Sequence, residues 1–273
     1  MRARIVARSI ALSAAVLIGS LPAFAQATAT TQKPYEPQVG QGGKDVVWVP
    51  TPQGLVDIML DMAKLTPADF VMDLGSGDGR TVITAAKRGS RAVGIEYNPD
   101  MVELSKRNAE AAGVTDKASF MKADLFETDL SKAQVITMFL LPSINMKLRP
   151  TLLNLAPGTR IVSNTFTMED WAADETKQLT DGCTSSWCTA LLWIVPAKVE
   201  GSWKMAQGDL KLQQQFQMLT GSLGSQPISD AKMRGEEITF KAGGATYTGR
   251  VKGTTMSGTM QGGSGGQWSA SKQ

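Results

Sequence analysis

The chain carries a glycine-rich turn next to carboxylates in the stretch VMDLGSGDGR, residues 71–80. An apolar run ends at Asp73, and Gly75, Gly77 and Gly79 follow at intervals of two residues. Because glycine has no Cβ, such a backbone can pass close to a ligand. In α/β folds, ligands bind at the carboxyl ends of the strands. The stretch therefore predicts a ligand-binding turn between a strand and a helix.

The residues around the turn indicate which ligand it fits. The dinucleotide fingerprint G-x-G-x-x-G would require a glycine at position 80, where Arg80 stands, so a nicotinamide-dependent oxidoreductase is disfavoured. Asp73 and Asp78 flank the turn, and carboxylates repel a pyrophosphate. We therefore expect a ligand with a cationic portion, such as an amino-acid ammonium or a sulfonium.

Two more acidic residues end the next strand-like segments. Glu96 ends RAVGIE, where a carboxylate can bind both hydroxyls of a ribose, and Asp124 ends ASFMKAD. Taken singly, an acid at a strand end is often only a helix cap or a turn former. Together with the glycine turn, at successive strand ends, they predict a nucleoside site.

Strand-like and helix-like segments alternate from residue 46 to about 196. Apolar periodicity predicts helices over 54–65, 80–89, 99–113 and 145–158, the last interrupted at Pro150, and strands over 69–74, 91–96, 118–124, 133–141 and 159–166. Such alternation predicts an α/β domain with a Rossmann-like, doubly wound, mostly parallel sheet. Residues 197–273 consist of short alternating runs between glycine turns, which predicts a second domain, a small antiparallel β-meander or barrel.

The N-terminal 45 residues differ from the rest. Residues 1–25 contain three arginines, an apolar run and the small-residue ending Ala23-Phe24-Ala25, the pattern of a secretory signal peptide. The apolar run is shorter than the roughly 20 residues that span a bilayer. We therefore expect export to the periplasm or secretion, with no stable membrane span after cleavage. Residues 26–45 are polar and rich in Gly, Pro and Gln, which predicts a flexible linker.

Composition excludes several classes of site. The chain has no histidine, so Ser-His-Asp and Cys-His catalysis are excluded and no metal site is expected. Both cysteines lie in CTSSWC, and in an exported chain Cys183 and Cys188 are expected to form a disulfide. The net charge is +3, but three arginines belong to residues 1–25, and without them the charges balance. We therefore expect no nucleic-acid partner.

The spacing D-x-G-x-G-x-G resembles motif I of the class I S-adenosylmethionine-dependent methyltransferases. The resemblance implies S-adenosylmethionine as the cofactor, with the carboxylate of Asp124 accepting a hydrogen bond from the adenine amino group. The expected cofactor-binding residues are Asp73, Gly75, Ser76, Gly77, Glu96, Tyr97, Asp124 and Leu125.

A closer resemblance covers residues 46 to about 196. The segments VVWVPTPQGLVDIML, DLGSGDGRTVITAAKRG, KADLFETDLSKAQVITMFLLPSINMKLRP and PGTRIVSNTFTMEDW resemble the family of mitochondrial lysine methyltransferases that act on the ATP synthase c subunit and on the adenine nucleotide carrier. The parts V-P-T-P and L-L-P-S-I-N point to this family. Two departures concern the acceptor side: Trp48 stands where relatives commonly carry tyrosine, and SNTF at 163–166 stands where a His-Asp pair is expected.

The resemblance implies N-methylation of a protein lysine, although whether the acceptor is a protein or a small molecule stays open at this point. Because a sulfonium methyl is already activated, the protein mainly positions the reactants and excludes water. We expect Trp48, Thr51 and Asn145 in the catalytic site, with Pro50 and Pro142 beside them. Since S-adenosylmethionine is made in the cytosol, an exported chain also fits a non-catalytic binding module, with a vestigial nucleoside pocket and a β-rich domain that binds a partner.

Overall fold

A computed structural model of the chain describes Met1, Ala3 and residues 35–183, 186–263 and 265–273. The predicted signal peptide and residues 26–34 of the predicted linker lie outside the described residues, apart from Met1 and Ala3. Within the described part of the chain, no helix has both the length and the apolar character needed to cross a membrane.

Helices and strands alternate in the first half of the described chain, and strands alone form the second half. The helices are α1 (Gln53–Met62), α2 (Arg80–Lys87), α3 (Pro99–Ala111) and α4 (Pro142–Leu152). The strands of the first sheet are β1 (Phe70–Leu74), β2 (Arg91–Glu96), β3 (Ala118–Lys122), β4 (Val135–Met138), β5 (Arg160–Asn164), β6 (Glu175–Gln178) and β7 (Thr189–Ile194).

The first sheet has the order β3-β2-β1-β4-β5-β7-β6. The pairs β1–β2, β1–β4, β2–β3 and β4–β5 are parallel, while β7 is antiparallel to both of its neighbours. The strand order reverses direction between β1 and β4, so their carboxyl ends form the crevice where such sheets bind ligands. The predicted Rossmann-like, mostly parallel sheet is confirmed.

Residue burial explains the central position of β1 and β4. Every residue of β4 is buried, and so are the last four residues of β1. The polar exceptions in these apolar strands are Asp73 and Thr137, which are register partners and hydrogen-bond to each other. The polar side chain at the crevice is therefore supported from the neighbouring strand.

Two details of this domain differ from the sequence prediction. Helix α4 begins at Pro142 and continues through Pro150 to Leu152, although Pro150 has no N–H to donate to the carbonyl four residues earlier and the last turn therefore lacks one hydrogen bond. Strands β6 and β7 were not predicted. Residues of β6 are mostly exposed, whereas β7 is buried over four consecutive residues, so neither shows a clear alternation.

The second sheet closes into an antiparallel barrel. Its strands are β8 (Gly201–Met205), β9 (Gly208–Gln215), β10 (Met218–Leu223), β11 (Gln226–Pro227), β12 (Ser229–Arg234), β13 (Glu237–Ala242), β14 (Ala245–Lys252), β15 (Thr255–Gln261) and β16 (Gly266–Lys272). Because β10 pairs with β9 as well as β12, eight strands form a ring, and β11 pairs with β10 beside it. The predicted antiparallel β domain is confirmed in its barrel form.

Aromatic side chains fill the inside of the barrel. The rings of Phe240 and Tyr247 stack with centroids 4.6 Å apart, and Trp268 packs edge-on against both. Trp203 is fully buried, and its indole N–H donates to Val199 O at 2.7 Å. The barrel therefore has a packed core of its own.

The turn between β9 and β10 contacts the α/β domain at Phe216. Its ring stacks on Trp171 with centroids 5.9 Å apart, and the Arg149 guanidinium lies 5.3 Å from the ring centroid. The neighbouring Gln217 donates from Nε2 to Ala172 O at 2.7 Å. These contacts attach the barrel to the α/β domain.

Candidate active site

A cleft of about 520 Å³ lies at the carboxyl ends of β1, β2 and β4 and extends past the end of β3. Its walls include residues from several strand ends and from the segment before α1. All eight expected cofactor-binding residues line it: Asp73, Gly75, Ser76, Gly77, Glu96, Tyr97, Asp124 and Leu125. The structure thus brings together residues that are up to about 50 positions apart in the sequence.

The glycine turn is tied to the end of β2. The N–H groups of Gly75 and Ser76 both donate to Ile95 O, at 2.9 and 3.1 Å. Gly77 has a φ of +54°, and a Cβ built on it would lie 2.6 Å from Nε1 of Trp48. Any side chain at Gly77 would therefore be strained and would collide with an indole that also lines the cleft.

Glu96 accepts two backbone hydrogen bonds at the cleft. Its Oε2 accepts from Gly77 N at 2.9 Å, and its Oε1 accepts from Asn98 N at 2.9 Å. Asn98 in turn caps α3 by accepting from Asp100 N. The carboxylate thus joins the glycine turn to the start of α3, and each oxygen keeps acceptor capacity for a ligand.

The carboxyl group of Asp73 is buried under the turn. Its Oδ1 accepts from Thr137 Oγ1 at 2.6 Å. Burial raises the pKa of Asp73 to about 7; the hydrogen bond from Thr137 lowers it, and the nearby carboxylates of Asp78 and Glu96 raise it further. A cation in the cleft would favour the ionised form of this group.

Asp78 was expected to face a cationic ligand, but in the structure it is paired with Arg80. Its carboxylate accepts from Nε and NH2 of Arg80, at 2.6–3.1 Å, and Arg80 also donates to Thr51 O at 2.8 Å. The charge of Asp78 is therefore compensated within the chain, and only part of the expected negative charge faces a ligand. Arg80 fixes the start of α2 to the segment before α1.

Asp124 lies beside a lysine from the N-terminal segment. Lys44 Nζ lies 2.6 Å from Asp124 Oδ2 and 4.5 Å from the centroid of the Tyr97 ring. The Asp124 Oδ1 accepts from Phe126 N at 2.9 Å. The hydrogen bond from Lys44, followed by that from Phe126, lowers the pKa of Asp124. Residues 41–47 line the cleft, a role that the prediction of a linker over 26–45 did not include.

The expected acceptor-site residues divide into two groups. Trp48 and Thr51 line the cleft, as does Pro50. Asn145 is fully buried and donates from Nδ2 to Phe166 O and Thr167 O, at 3.2 and 3.1 Å. Its amide therefore holds the turn after β5 and is not placed against the cleft. Pro142 does not line the cleft within the described residues either.

Three aromatic residues that the sequence reasoning missed also line the cleft. Phe139 follows β4, Phe166 follows β5, and Trp187 precedes β7. The positions of Phe139, the first residue after β4, and Phe166, the second residue after β5, could have indicated them, because carboxyl strand ends surround such sites. No local signal indicated Trp187.

The predicted disulfide is confirmed: Cys183 and Cys188 are bonded, with Cα atoms 6.1 Å apart. The bond connects the segment after β6 to the start of β7. Trp187 therefore belongs to a covalently closed segment.

The site fits a nucleoside with a cationic group. The turn leaves no room for a Cβ at Gly77, Glu96 presents a carboxylate at the end of β2, and Asp73 is poised to ionise near a cation. Glu96 and Asp124 would hold the nucleoside of S-adenosylmethionine, and the glycine turn would pass along its methionine portion.

The family model described as "ANTKMT methyltransferase domain" matches residues 73–175. A protein named protein-lysine N-methyltransferase, from Saccharolobus islandicus (strain REY15A), is 46% identical over 140 residues, which are 50% of this chain and 87% of that protein. The chain belongs to this methyltransferase family. The methyltransferase is also 36% identical over 118 residues to the adenine nucleotide translocase lysine N-methyltransferase of Mus musculus, a match that covers 42% of this chain and 51% of that protein.

A solved structure agrees with the assignment. The methyltransferase resembles the crystal structure of an RNA methyltransferase from Salinibacter ruber in complex with S-adenosyl-L-homocysteine. The identity is 48%, the TM-score is 0.52, and the match covers 55% of this chain and 96% of that chain. The chain is thus an S-adenosylmethionine-dependent methyltransferase, and the binding-module and oxidoreductase alternatives lose their support.

Proposed function

We propose that this methyltransferase transfers a methyl group to the ε-amine of a lysine in a protein. The observation that carries the proposal is the likeness to a protein-lysine N-methyltransferase across most of that relative's length. The chemistry of the cleft supports it, because apolar and aromatic side chains adjoin the glycine turn. Such a lining suits the alkyl stem of lysine.

Each part of the cleft has a role in this reaction. S-adenosylmethionine supplies an activated methyl group when bound. Trp48 and Thr51 would position the incoming amine, and the aromatic lining would exclude water from it. Desolvation lowers the pKa of a lysine from about 10.4, which favours the neutral amine that can accept a methyl group.

RNA is the second candidate acceptor, because the similar protein from Salinibacter ruber is named an RNA methyltransferase. The charge of this chain favours protein. Outside the three arginines of residues 1–25, basic and acidic residues are equal in number, whereas RNA binding draws on an excess of Lys and Arg.

An experiment with labelled cofactor separates the two acceptors. The purified protein is incubated with methyl-labelled S-adenosylmethionine and either the proteins or the RNA of the source cells. We expect label in protein, and methylated lysine after acid hydrolysis. Prior chemical blocking of lysine amines should abolish the signal. Label that appears in RNA, or in protein whose lysines are blocked, would overturn the lysine proposal.

We also propose that the enzyme is exported. The leader-like composition of residues 1–25 supports this, as does the Cys183–Cys188 disulfide, since disulfides persist in oxidising compartments. We expect a mature N-terminus at Gln26 in the envelope or secreted fraction. N-terminal sequencing of the protein from fractionated cells is the test, and full-length protein in the cytosol would contradict export.

A further inference from the structure

We propose that the side chains of Phe139, Phe166 and Trp187, here called the aromatic wall, bind the alkylammonium end of the methyl acceptor. We further propose that the Cys183–Cys188 disulfide positions Trp187 for this role. The inference rests on the proposed function and names the part of the site that selects the acceptor.

The geometry of the aromatic wall suits a cation. Phe139 is central: its ring stacks against Phe166 with centroids 5.7 Å apart and 19° between the planes. Trp187 lies on Phe139 edge-on, with centroids 6.1 Å apart and 60° between the planes. All three side chains are half-buried and line the cleft, so they are not simply core residues. Ring faces attract an ammonium within about 6 Å of the centroid.

The aromatic wall lies beside the glycine turn. Leu140 follows Phe139 directly, and a Cβ built on Gly75 would lie 3.1 Å from the Leu140 side chain. The turn is at the end of β1, and Phe139 is at the end of the adjacent strand β4. A group bound at the aromatic wall is therefore next to the turn that would hold the methionine portion of the cofactor.

The charge of the cleft favours a cationic ligand. Among the described residues that line it, the acidic ones are Asp45, Asp73, Asp78, Glu96 and Asp124, and the basic ones are Lys44 and Arg80. Both basic groups are already paired with carboxylates, Lys44 with Asp124 and Arg80 with Asp78. The remaining negative charge attracts the acceptor in its ammonium form and would repel an anionic acceptor. The acceptor would bind as the ammonium and lose its proton to solvent before the neutral amine takes the methyl group, so the aromatic wall acts in binding and not in methyl transfer.

The disulfide restrains the residue at the edge of the aromatic wall. Cys188 is buried, and its carbonyl accepts from Leu179 N at 2.8 Å. Trp187 immediately precedes this anchored cysteine, and the bond to Cys183 closes the segment on its other side. Without the bond, the segment that carries Trp187 gains conformational freedom.

The test uses a blocked trimethyl-lysine, N-acetyl-Nε-trimethyl-lysine methylamide, and its neutral isostere with carbon in place of the quaternary nitrogen. Both are titrated calorimetrically into the mature protein, with and without S-adenosylhomocysteine. We expect the cation to bind about five- to thirtyfold more tightly than the isostere, because the aromatic wall and the acidic lining distinguish charge from shape.

Variants of Trp187 separate ring chemistry from packing. Trp187→Leu keeps apolar volume but has no ring face, and should lose most of the preference for the cation. Trp187→Phe keeps a ring and should retain much of that preference. In methylation assays, Trp187→Leu should raise KM for the acceptor with little change in kcat. The affinity of each variant for S-adenosylhomocysteine reports whether it is folded.

The double variant Cys183→Ser/Cys188→Ser tests the disulfide. It should lose preference for the cation as Trp187→Leu does, while binding S-adenosylhomocysteine as wild type does. Equal binding of cation and isostere by wild type, or an unchanged preference in Trp187→Leu, would overturn the aromatic-wall proposal. An unchanged preference in the cysteine variant would overturn the role of the disulfide. Failure of wild type to bind S-adenosylhomocysteine would instead contradict the proposed function.

Discussion

Lys44 Nζ lies 2.6 Å from Asp124 Oδ2, so the N-terminal segment and the end of β3 meet at the edge of the cofactor cleft. Asp124 is the carboxylate expected to accept a hydrogen bond from adenine. The ammonium of Lys44 therefore contacts the same group that the cofactor is expected to use.

The Lys44–Asp124 pair predicts a competition. Lys44→Met should increase the affinity for S-adenosylhomocysteine, but by no more than about fivefold, because exposed ion pairs are weak. The increase should shrink at high salt. Calorimetric titration at two ionic strengths measures it. Lys106→Met, which removes an exposed ion pair with Glu103 on α3, is the control and should leave affinity unchanged. A large loss of affinity in Lys44→Met would show that Lys44 instead supports the bound cofactor.

Glu96 combines a structural and a ligand-binding role, and two variants separate them. Glu96→Ala removes the carboxylate that accepts from the backbone N–H groups of Gly77 and Asn98 and that would contact the ribose hydroxyls, so affinity for S-adenosylmethionine should fall about ten- to a hundredfold. Glu96→Gln keeps one acceptor oxygen and should lose less. Calorimetry and thermal unfolding of both variants are the measurements. Wild-type affinity in Glu96→Ala would remove Glu96 from the cofactor site.

Trp48 and Gly77 should show coupled effects, because the indole Nε1 would lie 2.6 Å from a Cβ at Gly77. Gly77→Ala should weaken cofactor binding through both backbone strain and displacement of Trp48. In a Trp48→Ala background the collision is gone, so Gly77→Ala should cost less there. Calorimetric affinities of the two single variants and the double variant form the cycle. Additive effects would contradict the contact.

This contact also revises the expected role of Trp48. The family resemblance implied that Trp48 belongs only to the catalytic site around the acceptor, so that Trp48→Ala would reduce methyl transfer alone. Since the indole packs on the glycine turn, we expect Trp48→Ala to change cofactor affinity as well.

The features that could be predicted from the sequence are those that depend on patterns within a short stretch of the chain. Asp73, the glycines, Glu96 and the mostly parallel sheet follow from strand ends and periodicity within short windows. The contact between Lys44 and Asp124 could not be predicted, because the two residues are 80 positions apart and no local sequence pattern indicates an ion pair between them. Trp187 was missed for the same reason, since its contact with Phe139 depends on the strand order β4-β5-β7, which no short stretch of sequence indicates.

Barrel closure shows a similar limit. Glycine turns and alternation predicted antiparallel strands, but a meander and a closed barrel have the same local pattern. The pairing of β9 with β10 closes the ring, and the long strand β9 also pairs with β8. The closed ring is favoured over an open meander because it buries the aromatic core around Trp203, Phe240 and Trp268.

The barrel should affect stability more than cofactor binding. Described residues that line the cleft all lie between Gln41 and Trp187, so a chain that ends at residue 196 should bind S-adenosylhomocysteine within about threefold of wild type, a difference below about 1 kcal/mol. It should unfold at lower temperature, because Trp171 loses its stacking partner Phe216. Phe216→Ala in the full chain is the matched variant and should shift Tm in the same direction. Loss of cofactor binding on truncation would mean that the barrel shapes the cleft.

Asp73 should make stability depend on pH. Burial raises its folded pKa from about 3.8 to about 7, so the folded state holds this proton more tightly than the unfolded state. Stability should therefore fall as pH rises from about 4 to about 7, by up to about 4 kcal/mol from this group. Asparagine does not titrate, so Asp73→Asn does not show this fall in stability. The unfolding free energy of Asp73→Asn minus that of wild type should therefore increase from about pH 4 to about pH 7. Urea unfolding of both proteins without cofactor, at several pH values, measures the difference.

Asp129→Asn is the control, because the hydrogen bonds from Ser131 lower the pKa of Asp129 and the contribution of Asp129 to the pH dependence of stability has the opposite sign. A difference between Asp73→Asn and wild type that does not change from pH 4 to 7 would show that Asp73 titrates alike in the folded and unfolded states.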